Sequence, residues 1–169
     1  ITALYAAKTI TFENCVSLIK IRSELMSKAP IGGMAALIGF DRDTLENLVK
    51  NKNDIFIAND NSSSQVVLSG NKDALYEISK EIKCKRFMHL NVSGAFHSRY
   101  MNEPSERFSE YLDSINFSKP IIPVISNANP SFSKDSIQLK QNLTRQMCNG
   151  VRWRETMDLM NTLDNLHIV

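Results

Sequence analysis

The chain has 169 residues with 20 Lys and Arg against 18 Asp and Glu, a formal charge of +2 that supplies no strong field for nucleic acid or an anionic membrane. Hydrophobic residues make up 43%, enough to fill a core, which excludes intrinsic disorder and collagen-like structure. Apolar runs such as 34–38 fall far short of the ~20 residues needed to cross a bilayer, so a soluble protein with no membrane partner is expected.

The chain opens at Ile1 with no charged and apolar leader, and residues 1–10 read as a helix already under way, so the sequence is expected to begin in mid-domain. Thr11 caps the next helix, with Glu13 in its first turn and Phe12, Val16, Ile19, Leu25 and Met26 as its expected apolar face up to Ser27. Pro30 and Gly32-Gly33 close that unit.

A regular rhythm follows: strand 34–40, helix 43–50, strands 55–58 and 65–69, helix 72–83 and strand 85–92. Asp43 and Asn71 are the expected N-caps, and 59–64 the turn between the central strands. The order βαββαβ predicts a ferredoxin-like unit over 33–92.

Gly94 breaks this pattern. A helix over 102–115 carries Phe108, Tyr111, Leu112 and Ile115, with Pro104 in its first turn, and a buried strand is expected at 121–126. Asp135 or Ser136 starts a helix with Leu139, Leu143 and Met147 on one face, closed by Asn149-Gly150 as a left-handed cap. The last helix, 152–163, is expected to pack Trp153, Met157 and Met160, and 166–169 reads as a strand. The class is therefore α/β, with 1–32 and 93–169 as parts of a large unit around the inserted small one.

Three cysteines, Cys15, Cys84 and Cys148, form no CxxC pair and are too far apart for a zinc module, so buried thiols and no metal are expected. Of three histidines, His89 lies inside a predicted strand and His167 near the end, whereas His97 follows a strand in a Gly-broken loop, which suits a catalytic imidazole. Arg22 stands in a mostly apolar stretch of helix and either snorkels to the surface or is partly buried with a carboxylate partner. Lys83, Lys85 and Arg86 make a small basic cluster without interleaved aromatics, a poor nucleic-acid site.

Five collinear segments resemble one family. They are the opening Ile1-Thr2-Ala3-Leu4 with Ile21-Arg22-Ser23, then Gly33-Met34-Ala35-Ala36-Leu37-Ile38-Gly39, then Gln65-Val66-Val67-Leu68-Ser69-Gly70 after Asn61, then Val92-Ser93-Gly94-Ala95-Phe96-His97-Ser98, and Pro123-Val124-Ile125-Ser126-Asn127. In order and spacing the whole chain resembles the malonyl-CoA:acyl carrier protein transacylases and, more loosely, the acyltransferase domains of polyketide synthases.

The resemblance implies an α/β-hydrolase-like large subdomain carrying a ferredoxin-like insert, and ping-pong transfer of malonyl from coenzyme A to the phosphopantetheine thiol of acyl carrier protein through a serine ester. It matches His97 to the catalytic base, oriented by main-chain carbonyl groups around 149–152, Arg22 to the guanidinium that binds the malonyl carboxylate, and Phe96 to the residue that narrows the site against an α-methyl group.

No GxSxG occurs in the chain, so the nucleophile, like the family's oxyanion-hole Gln and its late GPG-type segment, is expected outside it. Ser63 and Ser64 stand where many relatives have Pro-Gly. The same resemblance implies no metal or redox cofactor, with coenzyme A as a substrate thioester, and a monomer; the abundance of Asn, Lys, Ile and Ser suggests an AT-rich genome, which fits equally a bacterial cytoplasm or a plastid or other organelle stroma with a transit peptide missing from the chain. The rival expectations are a non-catalytic ferredoxin-like binding module, and an acyltransferase domain of a polyketide synthase.

Overall fold

The computed structural model describes residues 1–164; His167 and the strand expected at 166–169 lie outside them. Helix α1 (Thr2–Ala6) is shorter than the helix expected through Ile10. Lys8 turns left-handed, with φ 56°, and Thr9 N–H donates back to the Leu4 carbonyl, which closes the helix early. Thr11 then caps α2 (Phe12–Ser27) as expected, its hydroxyl accepting from Asn14 N–H at 3.2 Å.

The buried face of α2 is Cys15 and Leu18, with Ile21, Leu25 and Met26 packed at its margin, while Phe12, Val16 and Ile19 are exposed. Apolar residues surround much of this helix, so two stripes share helical spacing and periodicity does not choose between them.

Strand β1 (Gly33–Phe40), α3 (Arg42–Lys50), β2 (Ile55–Ser62), β3 (Gln65–Gly70), α4 (Lys72–Glu81) and β4 (Cys84–His89) build an antiparallel sheet in the order β2-β3-β1-β4, the ferredoxin-like arrangement. Alternation along β1 sends Ala35 and Leu37 towards the helices, where they meet Val66, Leu68, Leu45, Leu75 and Ile78. The opposite face buries Met34, Ala36, Ala58 and Val67.

Asp41, rather than Asp43, caps α3 by accepting from Thr44 N–H at 2.9 Å, and Asn71 caps α4. β2 continues to Ser62, so the turn is only Ser63-Ser64; hydrogen bonds hold its polar end in the sheet despite low β-propensity. β4 stops at His89, short of the expected Val92.

Beyond a 3-10 turn at Arg99–Met101, α5 (Asn102–Asp113) carries Pro104 in its first turn. β5 (Val124–Ser126) is half the expected strand, since Ile121 and Ile122 are exposed, and it pairs with an unanticipated β6 (Asn129–Ser133). α6 (Ser136–Arg145) is capped by Asp135 and packs Leu139, Leu143 and the following Met147 on Leu4, Leu18, Phe108 and Leu112.

Neither Asn149 nor Gly150 has a positive φ, so the expected left-handed cap is absent. Gly150 instead approaches β2 so closely that a Cβ there would lie 2.5 Å from the Ile57 carbonyl. In α7 (Trp153–Met160) Thr156 is the buried residue, whereas Trp153 is exposed. Among the described residues no helix is long and apolar enough to cross a membrane.

Two seams join the ferredoxin-like unit to the rest. Ile31 pairs with Gly94, and Gly32 N–H donates to Ser93 C=O at 3.1 Å, so the chain enters and leaves side by side. Val151 pairs with Asn59 of β2, accepting from Asp60 N–H and donating to Ala58 C=O, both at 2.8 Å.

Leu37 is fully buried at the centre of the helix-covered face. Leu37→Ala is expected to lower unfolding stability by about 2–5 kcal/mol through the cavity it leaves, as read from denaturant unfolding.

Candidate active site

His97 lies in the segment between β4 and the 3-10 turn, just beyond the first seam. Its φ of 57° is left-handed, a conformation uncommon for a residue with a Cβ. The adjacent Ser98 is buried, its hydroxyl donating to Ala95 C=O and accepting from Tyr100 N–H, so the turn presenting the imidazole is tied on both sides.

Nδ1 of His97 lies 2.9 Å from the Gln146 carbonyl oxygen and 3.2 Å from that of Asn149. A carbonyl only accepts, so Nδ1 carries the proton and donates to both; the neutral ring then keeps its lone pair on Nε2. Burial lowers the His97 pKa most, the Gln146 carbonyl raises it, the nearby Arg22 cation lowers it, and the Asn149 carbonyl raises it, with a net shift below the ordinary value.

Arg22, on the inner side of α2, is partly buried, and burial lowers its pKa. Nη2 donates to Gln146 Oε1 at 3.1 Å, Nε is buried without a partner, and among the described residues the guanidinium makes no ion pair. Gln146 therefore meets both functional side chains, Arg22 through its amide and His97 through its main chain.

Phe96 packs at once against the helical core and against the Met34–Ala36–Ala58–Val67 face of the sheet. Arg22, Phe96 and Ser93 line a cleft of about 520 Å³ with Ile19 and Met26 at its sides. A second cleft of about 510 Å³ reaches His97 between Phe56, Arg99, Cys148 and Asn149.

Arg22 and His97 thus meet on Gln146, Phe96 shares the cleft of Arg22, and the main-chain acceptor expected around 149–152 is Asn149. Gln146 is the residue that sequence reasoning missed. It follows the Leu139–Leu143 stripe on α6, and nothing in an apolar period marks the polar position beside it as aimed at another element.

The arrangement holds an imidazole base beside a guanidinium that lacks a carboxylate. Among the described residues no hydroxyl or thiol hydrogen-bonds His97 Nε2, and no cluster of three His, Cys, Asp or Glu side chains is placed to hold a metal. The cysteines are all free thiols; Cys15 is buried, but Cys84 and Cys148 are only partly so. Lys83, Lys85 and Arg86 are solvent-exposed on and beside β4.

The sequence profile described as the acyl transferase domain matches residues 1–165. The malonyl CoA-acyl carrier protein transacylase of Synechocystis is 42% identical over 156 residues, which is 92% of this chain and 53% of that protein. Its crystal structure superposes with a TM-score of 0.91 at 42% identity, over 94% of this chain and 54% of that one.

The polyketide biosynthesis protein PksE of Bacillus subtilis is 42% identical over 92% of this chain and 21% of its own length. A malonyl-transacylase in complex with a type II polyketide synthase acyl-carrier protein superposes with a TM-score of 0.88 at 28% identity, covering 95% of this chain and 55% of that one. The chain thus spans about half the length, or less, of the relatives it matches.

The lowered pKa fixes a direction for pH dependence. The folded chain binds the His97 proton less tightly than the unfolded chain, so this contribution to stability is complete above the ordinary imidazole value of about 6.5 and is lost as pH falls from there towards the folded value. In an NMR titration the His97 ring is expected to have a midpoint below about 6.5; a midpoint at or above it would contradict the buried, cation-facing imidazole.

Proposed function

The chain belongs to the acyl transferase domain family, and from that premise we propose that it carries the base and the carboxylate-binding group of an enzyme that moves malonyl from malonyl-CoA to the phosphopantetheine thiol of acyl carrier protein. The observation that supports this most directly is the convergence of His97 and Arg22 on Gln146. One side chain can take a proton while the other holds an acid.

The proposed nucleophile is a serine from a GxSxG segment outside these 169 residues. Its Oγ attacks the thioester carbonyl as His97 Nε2 takes the hydroxyl proton; the tetrahedral intermediate collapses, and the coenzyme A thiolate leaves with that proton. In the second half-reaction Nε2 takes the proton of the carrier thiol, the thiolate attacks the serine ester, and the proton returns to Oγ. Each imidazolium stage gains from the two carbonyl oxygens already facing Nδ1–H. This chemistry needs no metal or redox group, and coenzyme A enters and leaves as a substrate.

Arg22 is proposed to hold the free malonyl carboxylate with the N–H donors that Gln146 leaves open, its planar fork matching two oxygens. Phe96, wedged between two packed layers, is proposed to narrow the space beside the α-carbon and so disfavour methylmalonyl. The structural relative bound to an acyl-carrier protein supports such a protein as the acceptor. On this reading the enzyme is proposed to work as a monomer in a bacterial cytoplasm or an organelle stroma. The equal identity to PksE supports polyketide assembly as a second setting for the same transfer. A purely binding role for the ferredoxin-like unit gives no reason for the paired His97 and Arg22.

The first experiment is intact-mass measurement of the native full-length protein after brief exposure to malonyl-CoA, with peptide mapping. A malonyl adduct on a GxSxG serine is expected, and a protein that gains no adduct overturns the transfer. In that enzyme Arg22→Ala is expected to slow malonyl transfer about 10- to 100-fold more than acetyl transfer, the equivalent of one lost charge-assisted contact. Equal losses for both groups would remove the carboxylate role. His97→Ala should remain folded yet slow serine acylation by about 10²–10⁴-fold, measured by single-turnover kinetics.

A further inference from the structure

The carboxylate of Asp60, on β2, receives guanidinium groups from two elements. Arg42 of α3 donates through Nη2 to Oδ1 at 2.9 Å, and Arg154 of α7 donates through Nε to Oδ2 at 3.0 Å, with its Nη2 in ion-pair contact 2.9 Å from the same oxygen. The side chain of Asp60 is only 13% exposed, which separates this cluster from the exposed pairs elsewhere on the surface. Register shifts on both sides of the Asn59–Asp60 step let the strand depart from regular alternation here.

What this cluster fastens matters more than its own strength. Asp60 N–H also donates to Val151 C=O, so side chain and main chain of one residue grip both the segment leading into α7 and α7 itself. Val151 is two residues from Asn149, whose carbonyl accepts from His97 Nδ1–H, and Gly150 between them lies against the Ile57 carbonyl. The position of one of the two acceptors on the imidazole is thus set by the attachment of 149–154 to β2.

We propose that Asp60 is a positioning residue for His97: through Arg154 and Val151 it clamps the 149–151 connection to the small subdomain and so fixes the Asn149 carbonyl against the imidazole. Asp60 acts without touching substrate. The ferredoxin-like unit thereby becomes part of the catalytic apparatus, because it holds the acceptor that aims a base carried by the other subdomain. A displacement of about 1 Å at a general base is enough to cost an enzyme up to about 10²-fold, so a clamp two residues from the acceptor has leverage.

The inference rests on the malonyl-transfer reading for its kinetic readout only. The test uses the full-length enzyme with Asp60→Asn, which keeps the shape and removes the charge, and with Arg154→Gln, which breaks the same contact from a partly exposed side chain if the first variant does not fold. Two quantities are read: kcat and KM for malonyl transfer, and, without substrate, the NMR signal of the His97 Nδ1–H proton, assigned by its absence from His97→Asn.

The expected result is a fall of about tenfold in kcat with KM for malonyl-CoA changed by less than about twofold, together with broadening or loss of the Nδ1–H signal. A kcat within about twofold of wild type, or a Nδ1–H signal that keeps its position and width, overturns the proposal. Because the ring signal needs no acyl donor, an unchanged signal defeats the clamp alone, whereas a wild-type enzyme that forms no malonyl adduct defeats the transfer reaction and leaves the clamp to be judged by the ring.

Discussion

The bond from His97 Nδ1–H to two main-chain carbonyl oxygens depends on three separate pieces of the chain being correct at once. The end of α6 must bring the Gln146 carbonyl into place, the attachment of Val151 to β2 must bring that of Asn149, and the stapled left-handed turn at 97–98 must bring the ring. None of these pieces is made for the imidazole alone. The hydrophobic stripe of α6 packs the large core, and the pairing at Val151 joins two units, so the imidazole inherits its rigidity from contacts that also hold the fold together.

The choice of main-chain acceptors has an electrostatic logic set by the neighbouring cation. A carboxylate in the place of these carbonyls would also orient Nδ1–H, but it would place a full negative charge near Arg22. That charge would compete for the guanidinium. Carbonyl oxygens orient the ring with partial charges only, which leaves Arg22 with unpaired donors beside a neutral imidazole. The polar side chain that does touch Arg22, Gln146, is likewise uncharged.

Much of the architecture was legible because local signals agreed. Thr11, Asn71 and Asp135 cap the helices they precede, and the βαββαβ rhythm leads to the observed strand order. Several of the errors fall where one local signal has two solutions. On α2 two apolar stripes share the same spacing, and at the start of α3 Asp41 and Asp43 both offer a carboxylate, of which Asp41 is the cap and Asp43 lies in the first turn. At the polar end of β2, composition spoke for a turn, whereas pairing on both sides made a strand.

In the site, His97, Arg22 and Phe96 could be named because a family pattern marks residue types at fixed places. Gln146 and Asp60 carry no such mark. Their contacts span long stretches of sequence: Arg22 to Gln146 joins the two segments of the large unit, and Asp60 to Arg154 exists only once the two units are docked.

The paired segments 31–32 and 93–94 have a consequence for how the insert sits in the chain. Entry and exit lie one hydrogen bond apart, so to the large unit the whole excursion is equivalent to a hairpin turn. The loop-closure entropy of so long an excursion grows only logarithmically with its length, and the small unit's own core can repay it before any contact with its host. The host therefore tolerates changes in the size of what is inserted, but not in the gap between its two ends. Gly32 marks that limit: a Cβ there would meet the Cβ of Ala95 at 2.7 Å, two residues before His97, so spreading the neck would shift the imidazole at the same time.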